Sequence, residues 1–117
     1  MDKPKRMFAI DRTPAYVHHR AMLHRRDNDN IHALELLRRA VQKAPDNREY
    51  RLDLAELYCD IGCHEQSSRL LLDMLAEENP PAECYYGLAL NDMGVNRSEC
   101  ALAMLGRYME QIGRAHV

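Results

Sequence analysis

Apolar residues recur at three- and four-residue spacing along most of the chain, in runs separated by polar or turn-forming residues. Nothing alternates convincingly with period two, so helices and not strands are expected throughout. The clearest run is NREYRLDLAELYCDIGCHEQSSRLLLDML, residues 47–75. Its first part predicts a helix over 50–60 built around Leu54, Ala55, Leu57 and Tyr58. Gly62 falls where the chain must reverse, a natural position for positive φ. A second helix over 65–78 follows, with Ser67, Leu70, Leu71 and Met74 as its inner stripe. Such a hairpin has one apolar face too many to stand alone, so it must stack on neighbours.

Weaker copies lie on both sides. Residues 1–12 have no sustained period, although Met7, Phe8 and Ile10 are placed to cover the first helix. Thr13-Pro14 predicts a helix start, because Thr supplies a capping oxygen and Pro tolerates the first turn. The helix over 14–26 has a thin stripe of Val17, Ala21 and His24, with Met22 and Leu23 beside it, and ends in the polar turn 27–30. Residues 31–44 form a clear amphipathic helix over Ala33, Leu34, Leu37, Ala40 and Val41. Pro45-Asp46-Asn47 stops it and caps the next. Further on, Asn79 is expected to cap a helix opening at Pro80, with Tyr85, Leu88, Ala89 and Met93 inside. A last helix over 97–111 is expected to open at Asn96, with Glu99 at capping-box spacing and Ala101, Leu102, Leu105 and Tyr108 inside. The expectation is six helices joined by turns of two to five residues.

Ala33, Ser67 and Ala101 stand 34 residues apart, each a small residue early in a second helix. Ala21, Ala55 and Ala89 keep the same period in the first helices, as do Leu37, Leu71 and Leu105 in the second. Three columns sharing one period indicate a helical repeat array.

On these residues the chain resembles the tetratricopeptide repeat family over about 100 residues. The Leu-Ala-x-x-Tyr motif stands intact at Leu54, Ala55 and Tyr58, and Pro45 falls on the family's terminal proline. The outer repeats depart from the pattern: Arg20 replaces the usual Leu, and His24 and Asp92 replace the usual Tyr. The early aromatic position holds Val17, Arg51 and Tyr85. The resemblance implies an all-α, right-handed α–α superhelix of three stacked helix-turn-helix repeats. They cover residues 14–47, 48–81 and 82–111, after a partly ordered lead-in over 1–13.

The resemblance also implies a peptide or protein bound in a concave groove lined by the first helices. The corresponding positions are His18, Met22 and Arg25; Glu49, Leu52, Glu56 and Cys59; and Glu83, Tyr86, Leu90 and Met93. Where the family clamps a terminal carboxylate with Asn, this chain has Met22, Glu56 and Leu90, so that mode is not expected. The mixed lining suits a segment carrying both apolar and charged residues. The competing reading is that Leu52, Tyr86 and Leu90 pack against neighbouring helices or a further part of the protein.

Composition changes this picture little. The chain's 117 residues suffice for one small domain, and six Tyr with one Phe and no Trp fit many small helix contacts. Sixteen basic and eighteen acidic side chains nearly cancel, which speaks against a nucleic-acid surface despite Arg20, Arg25 and Arg26. No run approaches a membrane span, and MDKPKRMFAIDR does not read as a signal peptide. A cytoplasmic, bacterial protein with reduced, mostly buried thiols at Cys59, Cys63, Cys84 and Cys100 is the expectation.

No catalytic constellation is evident. Cys59 and Cys63 are spaced one residue wider than a two-cysteine knuckle, with Gly62 between them and His64 beside them. His18 and His19 point different ways on a helix, and His24 lies out of register with both. Glu49, Glu56 and Glu83 read as solvent-facing carboxylates, and phosphate-loop and nucleophile motifs are missing. The expectation is a non-enzyme without cofactor or metal.

The last helix carries Leu102, Met104, Leu105, Tyr108, Met109 and Ile112 most of the way round, and no polar capping helix follows. Residues 112–117, IGRAHV, also match what a common sequencing-adapter stretch encodes when read in frame. They are expected to be a non-native tail on a protein that continues past Gln111. An exposed apolar patch, and self-association through it, is the corollary. Two other functional classes therefore stand beside the interaction module: a scaffold part of a longer protein with its effector domain elsewhere, and a self-assembling array.

Overall fold

The computed structural model describes residues 13–115; the lead-in with Met7, Phe8 and Ile10 lies outside the described residues. Within them stand six helices and no strand: α1 (Pro14–Arg26), α2 (Asn30–Lys43), α3 (Arg48–Asp60), α4 (His64–Leu75), α5 (Glu83–Gly94) and α6 (Ser98–Ala115). The chain divides into two compact units, residues 1–54 and 55–117, and the division falls inside α3.

In the first unit α1 packs along α2. Thr13 caps α1 by accepting the Tyr16 N–H at 3.3 Å, with Pro14 as first helical residue. Val17, Ala40 and Tyr50 form a buried cluster, covered by Leu36, Val41 and Ala44. Asn47 caps α3 through its side-chain oxygen, which accepts the Tyr50 N–H at 3.0 Å. In the second unit α5 packs against both α4 and α6. Its interior holds Leu57, Leu71, Met74, Cys84, Leu88 and Ala101. A fully buried Leu stabilises by roughly 1.5–3 kcal/mol, so these few positions decide whether a unit of this size folds.

The 34-residue period also governs the turns between paired helices. Asn28, Gly62 and Asn96 all have positive φ, at 61°, 88° and 62°. Around each, two hydrogen bonds repeat. The Asp29 N–H reaches the His24 carbonyl at 2.8 Å, Cys63 reaches Tyr58 at 2.8 Å, and Arg97 reaches Asp92 at 2.6 Å. The Asn28, Gly62 and Asn96 N–H groups bond the carbonyls of Arg25, Cys59 and Met93 at 3.0, 3.1 and 3.2 Å. This pair of bonds around a left-handed residue is the Schellman motif, which satisfies helix-end carbonyls and turns the chain sharply. The next helix starts at once, its first internal bonds coming from the N–H groups of Ala33, Ser67 and Ala101. Close approach there leaves room only for small side chains, and all three are buried.

Several expectations need correction. Asn96 does not cap α6, which opens at Ser98; its left-handed backbone instead ends α5, a conformation its short polar side chain tolerates. Nor does Asn79 cap α5, which opens at Glu83, because Pro81 disfavours a helical conformation at Pro80 and delays the start. With α4 ending at Leu75, the α4–α5 connection spans residues 76–82, longer than the turns expected. Of the four cysteines only Cys84 is buried; Cys59 and Cys63 are half-buried and Cys100 is exposed. Met93, expected inside α5, is exposed, and so is Leu102, expected inside α6, where Ala101 takes the buried position one residue away. Helix α6 runs on to Ala115, so residues 112–115 continue it.

Candidate functional site

The predicted lining positions fall on α1, α3 and α5, and the two units present them differently. In the first unit, Met22 and Arg25 are half-buried on α1, Leu52 is half-buried on α3, and Glu49 is exposed. His18 is committed internally. Its ring stacks on Tyr50 with centroids 4.4 Å apart, and its Nε2 meets Asp53 Oδ2 at 2.6 Å. The pair is only 15% and 17% exposed, so it ties α1 to α3 and is poorly placed to meet a partner.

In the second unit the lining changes character. Glu56 is exposed and Cys59 half-buried on α3. Desolvation first, then the charges of Asp60 and Glu56, push the Cys59 thiol above its ordinary pKa, which keeps it protonated and unreactive. On α5, Tyr86, Leu90 and Met93 are 45%, 38% and 57% exposed. Their spacing of four and three residues puts them on one helix face, opposite the buried Cys84, Leu88 and Asn91, with the small buried Ala89 flanking it. Tyr86 leans its ring on Tyr108 of α6 at 5.4 Å between centroids, and Glu83 continues the stripe toward the helix start. Three large apolar side chains in line on the outward face of one helix are the most distinctive surface among the expected positions.

Asn91 escaped the sequence reading. It is 1% exposed, and its amide donates to Ser67 Oγ at 2.8 Å. Ser67 donates in turn to the Ala55 carbonyl at 2.7 Å. Asn91 Oδ1 sits 3.0 Å from His64 Nδ1, which must carry the proton to be the donor. A Cβ on Gly94 would overlap the His64 ring, so glycine is what lets that ring lie there. The chain His64–Asn91–Ser67–Ala55 thus links α3, α4 and α5 through buried polar groups. The available signal was the repeat itself, because Asn91 occupies the column of the buried Leu57.

A second group lies at the α1–α2 turn. Asp29 Oδ2 accepts from His24 Nδ1 at 3.0 Å and from His32 Nδ1 at 2.7 Å, while Oδ1 caps α2 through the His32 N–H. The two imidazoles stack at 5.1 Å. Desolvation raises the Asp29 carboxyl, but the hydrogen bonds from His32 and His24 outweigh it and hold the group below its ordinary value. Spacing along α1 does not reveal this group, because its members face one another across the turn.

Among the described residues no helix is long and apolar enough to cross a membrane. A family model, described as tetratricopeptide repeat, matches residues 24–90, more than half of the chain. No curated protein matches it.

Proposed function

The chain belongs to the tetratricopeptide repeat family, whose members generally mediate protein–protein interaction, and from that premise we propose that it is a non-catalytic interaction module of a cytoplasmic protein. It takes a peptide or protein segment on the outward face of its first helices, and the α5 stripe is where that segment docks. The carrying observation is the exposure of Tyr86, Leu90 and Met93 in one line, which costs hydrophobic free energy until something covers it. Glu83, three residues before Tyr86, favours a basic residue beside the apolar anchors of the ligand. His18, held by Asp53 and Tyr50, is a weaker candidate for the lining than its position suggested. The test is selection from a random peptide library against the chain, followed by affinity measurement on Leu90→Glu and on Leu72→Glu, an exposed position on α4. Loss of binding in the first and retention in the second supports the reading. Equal affinity in Leu90→Glu and the parent chain overturns it.

A second reading, self-association through α6, is favoured by Leu102 and Met109, exposed by 69% and 71% and seven residues apart on one face. Sedimentation across a concentration series decides it. A dimer abolished by polar substitution of Leu102, Leu105 and Met109 supports it, and a monomer at every concentration removes it.

A further inference from the structure

The turn between α1 and α2 brings two imidazoles and one carboxylate together: a ring nitrogen of His24, a ring nitrogen of His32 and a carboxylate oxygen of Asp29 all lie within 4.8 Å of one another. The backbone that holds them is well determined. Asn28 takes the left-handed conformation, the Asp29 N–H is tied to the His24 carbonyl at 2.8 Å, and Asp29 is the N-cap of α2. His24 therefore approaches from the end of one helix and His32 from the first turn of the next, on either side of the same carboxylate.

The separations of 3.0 and 2.7 Å from Asp29 Oδ2 to the two ring nitrogens are close to the edge of a coordination tetrahedron. Ligand bonds of about 2.0–2.1 Å place neighbouring donors roughly 3.3 Å apart. Those two edges need an opening of only a few tenths of an ångström, while the third, between the two ring nitrogens, lies within 4.8 Å and is adjusted by His32, whose side chain is 63% exposed. The donor set selects the ion. Two imidazoles and a single carboxylate suit Zn²⁺, Cu²⁺ or Ni²⁺, whereas Ca²⁺ and Mg²⁺ require mostly oxygen ligands. Neighbouring Arg25 and Arg26 also work against any ion held by charge alone.

We propose that His24, Asp29 and His32 form a site for a divalent transition-metal ion, with water completing the coordination. The ion takes the place now occupied by the two Nδ1 protons. In a neutral ring the proton moves to Nε2, so the tautomer changes and nothing is lost; a charged ring releases one proton to solvent. By joining the last turn of α1 to the first turn of α2, the ion stabilises the N-terminal hairpin. The other group of this kind among the described residues, His18 with Glu49 and Asp53, offers one imidazole, already stacked on Tyr50, and serves as an internal control.

The test is calorimetric titration of the full chain with Zn²⁺ alone at neutral pH, its thiols kept reduced, together with the visible spectrum of the Co²⁺ form. Helical circular dichroism checks each variant, and Asp29→Ser keeps a capping oxygen while removing the carboxylate. The expected result is one ion per chain and an affinity at least about tenfold lower in His32→Ala and in Asp29→Ser. Saturable binding disappears in the His24→Ala/His32→Ala double variant and is unchanged in His18→Gln. Absence of saturable binding in the parent chain, full binding in the double variant, or a thiolate-to-cobalt charge-transfer band would each overturn the proposal.

Discussion

Asn91 and Ser67 are hydrogen-bonded at 2.8 Å inside the second unit, both of them inaccessible to water. The residues 34 positions earlier, Leu57 and Ala33, are apolar and equally buried. At both positions the 34-residue period thus carries an apolar residue in one copy and a polar one in the next. A buried amide is tolerable only while both its ends are matched. Asn91→Ala, which opens a cavity and leaves His64 without its acceptor, is expected to cost about 2–3 kcal/mol. Ser67→Ala combined with Asn91→Leu, importing the residue types found one period earlier, should cost less than the sum of the two single changes. The check is a double-mutant cycle by urea unfolding, with a coupling of about 1 kcal/mol expected.

Gly94 and His64 test the same interior from another side. A methyl at residue 94 displaces the His64 ring and breaks its bond to Asn91. Gly94→Ala is therefore expected to destabilise by about 1–3 kcal/mol, although Ala is the better helix former. With His64→Ala already present, the same substitution should become nearly neutral or stabilising in thermal unfolding.

The three left-handed turn residues should respond differently to a single substituent. Gly62→Ala forces a Cβ into φ of 88° and is expected to cost about 1–2 kcal/mol. Asn28→Gly and Asn96→Gly accept the same backbone and should lie within about 0.5 kcal/mol of the parent chain. Parallel urea titrations of the three variants give the comparison.

Asp29 predicts an acid limb in stability. Desolvation raises its carboxyl, but the His32 and His24 hydrogen bonds prevail and hold it below the ordinary 3.8. The unfolded chain then binds the proton more tightly than the folded one. The stabilisation is complete above the ordinary carboxylate range and is lost as pH falls through the lower, folded value. Asp29→Asn retains a capping oxygen but removes the charge. Its deficit in urea midpoint against the parent chain should be present at pH 6 and shrink on titration to pH 3.

Thiol reactivity should follow exposure. Cys100 is expected to react first with a disulfide reagent, Cys59 to lag because its thiol is held protonated, and buried Cys84 to react only on unfolding. Mass mapping of partly labelled chain gives the order.

Fold was legible because it rests on repeated local choices. Ala21, Ala55 and Ala89 mark close helix approach three times over, and all three are buried. Gly62 announces its turn because glycine advertises positive φ; Asn28 and Asn96 do the same work, but Asn serves equally well as a cap, which makes Asn96 ambiguous in the sequence. Proximity across turns and between helices was less legible. His24 and His32 meet only through the turn geometry, His18 and Asp53 are 35 residues apart, and Asn91 resembles an ordinary surface amide until its column is read. The α5 stripe was marked by the family's first-helix positions, yet spacing alone did not distinguish Tyr86, Leu90 and Met93 outside from Leu88 and Ala89 inside.

The interaction module is tested most directly by mapping amide chemical shifts of the labelled chain during titration with its best selected peptide. The largest saturable changes are expected on α5 around Tyr86, Leu90 and Met93, and Leu90→Glu is expected to abolish them. Changes confined to other helices, with α5 unmoved, would contradict it.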